Sequence, residues 1–232
     1  MRKGLWAVTA VLVIIGVAAA ISRVVFADDA ITRVEPVHQW IFNALHLEDP
    51  FAAQRPAEVA LVDGKFASNR TLTLWHVLPG AAFLLLAPLQ FSSSIRRRHV
   101  RFHRWSGRLL LPAVVASILP GMYFGILMPY GGPSEAVIIG AAGGLLLIGV
   151  CRGFLAIRRR QVARHREWMI RVFAVAIAIS TVRVVGAPID LLLTPAGVHP
   201  STVFAISVWV AIVMTVGAAE LWIRYTHCPH RT

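Results

Sequence analysis

The sequence predicts an all-α integral membrane protein, a bundle of six transmembrane helices with both termini cytoplasmic. Three observations carry this. Of 232 residues, 57% are hydrophobic and only 15% are charged, where a soluble domain carries about a quarter charged residues. The apolar residues gather into runs of roughly 18 or more, the length that a bilayer core of about 30 Å requires of a helix. The segments outside those runs alternate basic, acidic, basic, neutral, basic, neutral, basic, as expected when arginine-rich loops are retained on the cytoplasmic side.

In a soluble protein the formal net charge of +12 would point to nucleic acid. Here the arginines concentrate in two short loops between spans, so membrane orientation accounts for most of them and a nucleic-acid partner is excluded. Two cysteines, Cys151 and Cys228, cannot build a disulfide framework, and both fall on the expected cytoplasmic side, where thiols stay reduced.

Met1, Arg2 and Lys3 precede an apolar run from Leu5 to Phe26, interrupted by Arg23. Residues 1–26 read as a first transmembrane helix. The competing reading is a signal peptide cut after Val25-Phe26-Ala27, but the run exceeds the usual signal core. Residues 27–70 form an acidic extracytoplasmic loop holding Asp28, Asp29, Glu35, Glu48, Asp49, Glu58 and Asp63. Within it Ile31, Val34, Val37, Ile41 and Leu45 approximate a helical stripe, with Trp40 and Phe42 beside it, which suits a short helix lying on the membrane surface. His38 and His46 stand two turns apart there and read as exposed polar residues.

Residues 71–224 form a five-helix membrane domain. Its spans are expected at about Leu72–Phe91, Leu109–Tyr130, Ala136–Ile157, Trp168–Leu193 and Thr202–Ile223. The first of these carries His76, Gly80, Phe83, Ala87 and Gln90 on one face, a mixture of polar and small residues that should look into the bundle. Between it and the next lies Arg96–Arg108, reading RRRHVRFHRWSGR, with six arginines and two histidines. The second basic loop holds Arg158, Arg159, Arg160, Arg164 and Arg166. Trp105, Trp168 and Trp222 then fall at the inner interface and Trp75 at the outer one, where aromatic belts belong. A cytoplasmic tail, 225–232, carries His227, Cys228 and His230, metal-ligand types without a fourth partner nearby.

Ionisable groups inside spans are candidates for function. His76, Arg183 and Asp190 are expected to form a polar cluster in the outer half of the bundle, either a structural pair between two spans or a substrate, proton or quinone site. The two basic loops share a pattern. Phe102-His103-Arg104-Trp105 leads to Gly107-Arg108, and Arg164-His165-Arg166-Glu167-Trp168 leads to Arg171. His103 and His165 therefore have similar depth on two different helices. They are ordinary interfacial residues, ligands of a b-type haem with arginines meeting its propionates, or flanks of a lipid or quinone headgroup. A two-haem carrier needs a second pair near the outer face, and His76 has only His199 to offer. No phosphate loop, zinc-protease helix or nucleophile elbow is present.

The His76 span ending in Ala87-Pro88-Leu89-Gln90-Phe91, the run Arg96-Arg97-Arg98-His99 with His103-Arg104-Trp105-Ser106-Gly107-Arg108, then His165 to Arg171 and Arg183, together resemble an uncharacterised family. It comprises bacterial multi-span membrane proteins, domain of unknown function number 2306. The likeness covers roughly residues 72 to 190; Ala87 stands where Gly is often found before the proline. It implies a bacterial inner-membrane protein and no assigned reaction.

The expected cofactor-binding set is therefore His103, His165, His76, Arg108, Arg171 and Arg183, serving redox-linked binding of haem b or quinone. The alternatives are a transporter or lipid-interacting protein built on the intramembrane His/Arg/Asp cluster, and a structural subunit of a membrane complex. Expected partners are the lipid bilayer and a quinone, an anionic lipid or a membrane redox protein.

Overall fold

A computed structural model describes residues 2–26 and 28–227. Ala27, where the alternative cleavage would fall, the tail residues Cys228 and His230, and the side chain of His227 lie outside the described residues. Among the described residues, six helices are long and apolar enough to cross a membrane: α1 (Arg2–Val25), α4 (Arg70–Phe91), α6 (Val100–Leu127), α7 (Gly132–Arg158), α8 (Val162–Leu193) and α9 (Pro200–His227). Two further helices, α2 (Glu35–Ala44) and α3 (Arg55–Ser68), follow α1, and a short α5 (Ser93–Arg98) precedes α6. The described residues include no strand.

Two helices begin well before the apolar run that announced them. α6 starts at Val100 and α8 at Val162, not near Leu109 and Trp168. Arginine is a good helix former, so each helix continues out of the apolar layer into the basic block. α8, with 32 residues, is about 48 Å long at 1.5 Å per residue, against a hydrocarbon core of roughly 30 Å. The chain breaks between α5 and α6 at His99, whose backbone is non-helical (φ −128°, ψ 55°).

Four spans close a ring: α4 packs on α6, α6 on α7, α7 on α8, and α8 back on α4. Phe83 and Ala87 of α4, Leu110, Val114 and Ile118 of α6, Val150 of α7 and Val172 of α8 fill its centre. The α7–α8 seam is tight because Gly149 lets the helices approach; a Cβ there would lie 2.7 Å from Val172 Cγ2. Small residues at helix contacts are how membrane bundles gain van der Waals packing. α9 covers α7 and α8 through Ile138, Val182, Val208 and Ala211. α1 covers the α4–α8 side through Val13, Leu84 and Ile177.

The connections sort into two ends. At the basic end are α5, the first turns of α6 and α8, and the α7–α8 turn. At the acidic end are α2, α3, the α6–α7 turn and the α8–α9 turn. The acidic segment expected as a loop is instead mostly helical and is bonded onto the spans. Asp63 of α3, fully buried, accepts from Arg23 of α1 (2.7 Å), from the Ile31 and Thr32 backbone N–H groups and from the Thr32 hydroxyl. Glu58 accepts from the Tyr130 hydroxyl at 2.7 Å and lies 3.1 Å from His199 Nε2. α2 turns Glu35, His38 and Phe42 inward and leaves Val34, Val37, Trp40 and Leu45 exposed around it. His46 is a helix terminator: it takes φ 53° while His46 N–H and Leu47 N–H bond back to Asn43 and Phe42 carbonyls, the glycine-like C-terminal motif that closes many helices.

Candidate functional site

The two repeated histidine motifs both stand at the mouth of the ring, at the basic end. His99 caps α6 and Gln161 caps α8, so His103 and His165 are each the fourth residue of their helix. Their backbone N–H groups make equivalent 3.0 Å bonds to the His99 and Gln161 carbonyls. The equality of depth expected from the sequence thus has a structural basis in helix register. α6 and α8 stand diagonally across the ring, with α4 and α7 between them. His103 and His165 are half-buried and within electrostatic range of one another.

Their surroundings differ. The α7–α8 turn is tight because Arg160 takes φ 59°, with Gln161 N–H reaching the Ala156 carbonyl. That turn folds the start of α8 against α7, and His165 Nδ1 comes 2.9 Å from the Gly153 carbonyl oxygen. A carbonyl only accepts, so Nδ1 carries the proton and, in the neutral ring, Nε2 keeps its lone pair. His103 Nδ1 is buried with no hydrogen-bond partner. Arg96 and Arg104 stand within electrostatic range of it. Just below, Gln90 of α4 donates to the Ser106 hydroxyl of α6 at 2.7 Å. Beside the mouth, Arg98, His99, Val100, Arg101 and Phe102 line an open concavity of about 500 Å³.

The other members of the expected set go elsewhere. Arg108 is exposed and lies over the Trp105 ring, 5.3 Å from its centroid, outside the ring of helices. Arg171 grips Glu220 of α9 with both Nε and Nη2, the latter at 3.0 Å, and lies over Trp168. His76 Nδ1 is 2.8 Å from the Ser117 carbonyl oxygen, and the Ser117 hydroxyl donates to the His76 carbonyl at 2.6 Å. This reciprocal pair locks α4 to α6.

Of the expected His76–Arg183–Asp190 cluster, Asp190 is engaged elsewhere, while His76 and Arg183 stand within electrostatic range of each other. Asp190 bonds His38 Nε2 at 2.6 Å and the Thr194 hydroxyl at 2.6 Å, with Arg55 Nη2 at 3.6 Å. Arg183 donates to the Ile179 carbonyl at 2.7 Å. The seven-residue step from Arg183 to Asp190 places them on one face but about 10 Å apart along the axis. Asp190 sits at the helix end, where the cap reaches it first. His199 likewise meets Glu58 and Ser201 and makes no pair with His76. His38, expected as an exposed residue, is the side chain that ties α2 to α8.

Sequence reasoning missed Gly153, Ser117, Glu220 and the whole Arg55–Asp49–Glu35–His38–Asp190 network. Gln90 alone had a visible signal, as the last polar position on the α4 face.

Whether the mouth suits an iron porphyrin turns on the donors. Metal-ligating histidines usually donate the second ring N–H to a carbonyl or carboxylate, and His165 is held in that way by Gly153. The arginines about His103 are the side chains that meet propionates. Two imidazoles with arginines nearby are side chains that would hold such a group, and no group of three or more metal-ligating side chains occurs among the described residues.

Six apolar helices around a polar mouth define the class, a multi-pass membrane protein. Residues 73–223 match the family described as "Predicted membrane protein (DUF2306)", and the chain belongs to that family, as the resemblance implied. No curated protein and no solved structure matches the chain.

Proposed function

We propose that this is a redox-linked membrane protein that takes haem b or a quinone between His103 and His165, with the basic end facing the cytoplasm of a bacterial inner membrane. The observation that carries the reading is the His165 ring, oriented by the Gly153 carbonyl, opposite a His103 ring whose Nδ1 is buried without a partner. Bound haem would supply one-electron chemistry there. The chain's own contribution is to hold two imidazoles at one depth and to surround them with Arg96 and Arg104. A quinone would instead accept a hydrogen bond from His103 through a carbonyl oxygen, while His165, whose Nδ1 proton goes to Gly153, offers Nε2 as an acceptor for the hydroxyl of the reduced quinol. The arginine-rich loops support the orientation, since Lys/Arg-rich loops stay cytoplasmic.

The test is an absorption spectrum of detergent-purified protein, oxidised and reduced, before and after haem supplementation, together with solvent extraction of bound quinone. A Soret band lost in His103→Ala and in His165→Ala supports haem. Quinone retained by the wild type and lost in both variants supports the other ligand. A preparation that retains neither, even when supplied with both, overturns the reading.

A further inference from the structure

Arg183 is a guanidinium without an anion in the apolar layer. Its side chain runs back towards the start of α8, as helical side chains do, and Nη1 donates to the Ile179 carbonyl. Ile179 stands fourteen residues before the last residue of α8, about 21 Å along the axis, so the guanidinium lies within the apolar length of the helix, away from the acidic end. No carboxylate lies within ion-pair distance of it among the described residues. Arg23 of α1 and, when protonated, His76 of α4 stand within electrostatic range of it. Arg23 is already bound to Asp63, and Asp63 is fully buried, with its oxygens taken by the donors of α1 and of residues 31 and 32.

A second observation falls at the same place. Ser180, one turn before Arg183 and adjacent to it on the helix surface, is fully buried with no hydrogen-bond partner for its hydroxyl. It faces Gly16 of α1, where a Cβ would collide with Ser180 Oγ and would lie 2.9 Å from Leu84. The seam between α1 and α8 is thus narrow and polar, with an exposed cation at its lipid-facing edge. Charged groups in a bilayer face a partner or a pathway, and this one has no carboxylate partner among the described residues, only the Ile179 carbonyl.

We propose that the α1–α8 seam at Arg183 binds the acidic headgroup of a hydrophobic molecule, a carboxylate or phosphate on an apolar chain, drawn from the bilayer. The guanidinium supplies the fork that such oxyanions fit, and the apolar tail lies along the exposed face of α1. The site is separate from the His103–His165 mouth, and neither reading depends on the other.

The experiment is thermal unfolding of the full chain in a neutral detergent, titrated with oleate, with lysophosphatidate and with methyl oleate. A saturable rise in Tm with oleate or lysophosphatidate, and none with methyl oleate, is expected; the headgroup with the lower half-saturating concentration identifies the source. Without ligand, Arg183→Leu should melt above the wild type, because it removes an uncompensated charge. It should also need a roughly tenfold or higher ligand concentration for any shift, since a hydrogen bond to a charged group is lost. Arg183→Lys should keep part of the response. A double Arg97→Gln, Arg98→Gln variant should keep all of it, which separates the seam from the basic end. Equal stabilisation by methyl oleate, no response to either acid, or an undiminished response in Arg183→Leu would each overturn the proposal.

Discussion

The two ends of the bundle handle charge in opposite ways. At the acidic end the charges that join α2 and α3 to the spans are paired and dry. Asp63 meets Arg23, Asp49 meets Arg55, and Asp190 meets His38, all with little exposure. At the basic end only Glu167 and Glu220 stand among the arginines of the two loops, and Arg96, Arg97, Arg98, Arg101 and Arg104 are exposed. The first arrangement holds helices together; the second leaves charge in water and headgroups, where it biases orientation and attracts anions. A charge excess therefore marks the end that a ligand or lipid meets, and a charge balance marks the end that is built.

The largest effect that should break this contrast is at Asp63. Removing one partner of a buried pair leaves an uncompensated charge and costs roughly 3–5 kcal/mol. Asp63→Ala strands Arg23 together with two backbone N–H groups. Unfolding in detergent should begin at a lower temperature, and hydrogen exchange at Ile31 and Thr32 should rise sharply. Unchanged protection there would mean that the cap is held by its apolar contacts alone.

A smaller effect, of opposite sign, is expected within the same cap. Burial holds the Glu35 carboxyl above the usual carboxylate range, although His38 and Arg55 pull it down. A carboxyl raised in the folded state binds its proton more tightly there than in the unfolded chain. Its favourable contribution is therefore complete below its ordinary value of 4.5 and is lost as pH rises through the folded value. Its Oε1 is also buried without a hydrogen-bond partner. Glu35→Gln should then raise Tm at pH 8, with the gain shrinking towards pH 4. A gain independent of pH would assign the effect to shape and remove the charge argument.

These two cases show what a single sequence displays and what it hides. The six spans were legible because each is one contiguous apolar segment, and the paired His103 and His165 motifs because each sits in a short, repeated string. Arg23–Asp63 and His38–Asp190 are separated by 40 and 152 residues, so no periodicity or local spacing reveals them. The same holds for Arg183. Its closeness in sequence to Asp190 suggested a pair, and only the arrival of α2 and α3 at the end of α8 decided that Asp190 was already taken. Arg108 misled for a related reason: its place in a repeated motif says nothing of which side of α6 it occupies, and the structure turns it outward over Trp105.

The smallest stability effect is expected where the charge is densest. Arg96, Arg97 and Arg98 occupy the exposed turns of α5, and surface substitutions away from caps and pairs usually stay within about 0.5 kcal/mol. Changing all three to Gln should leave Tm close to that of the wild type. Retention of anionic lipid should nevertheless fall, because each basic residue near a charged leaflet contributes on the order of 1 kcal/mol of attraction. Native mass spectrometry after exchange into mixed neutral and anionic lipid reads both quantities on one sample. A triple variant that unfolds early would show that these arginines have structural partners, and the contrast between the two ends would fail. A variant that keeps its stability and its anionic lipid would instead move the lipid-attracting role to the second basic loop, where Arg158, Arg159 and Arg160 close α7.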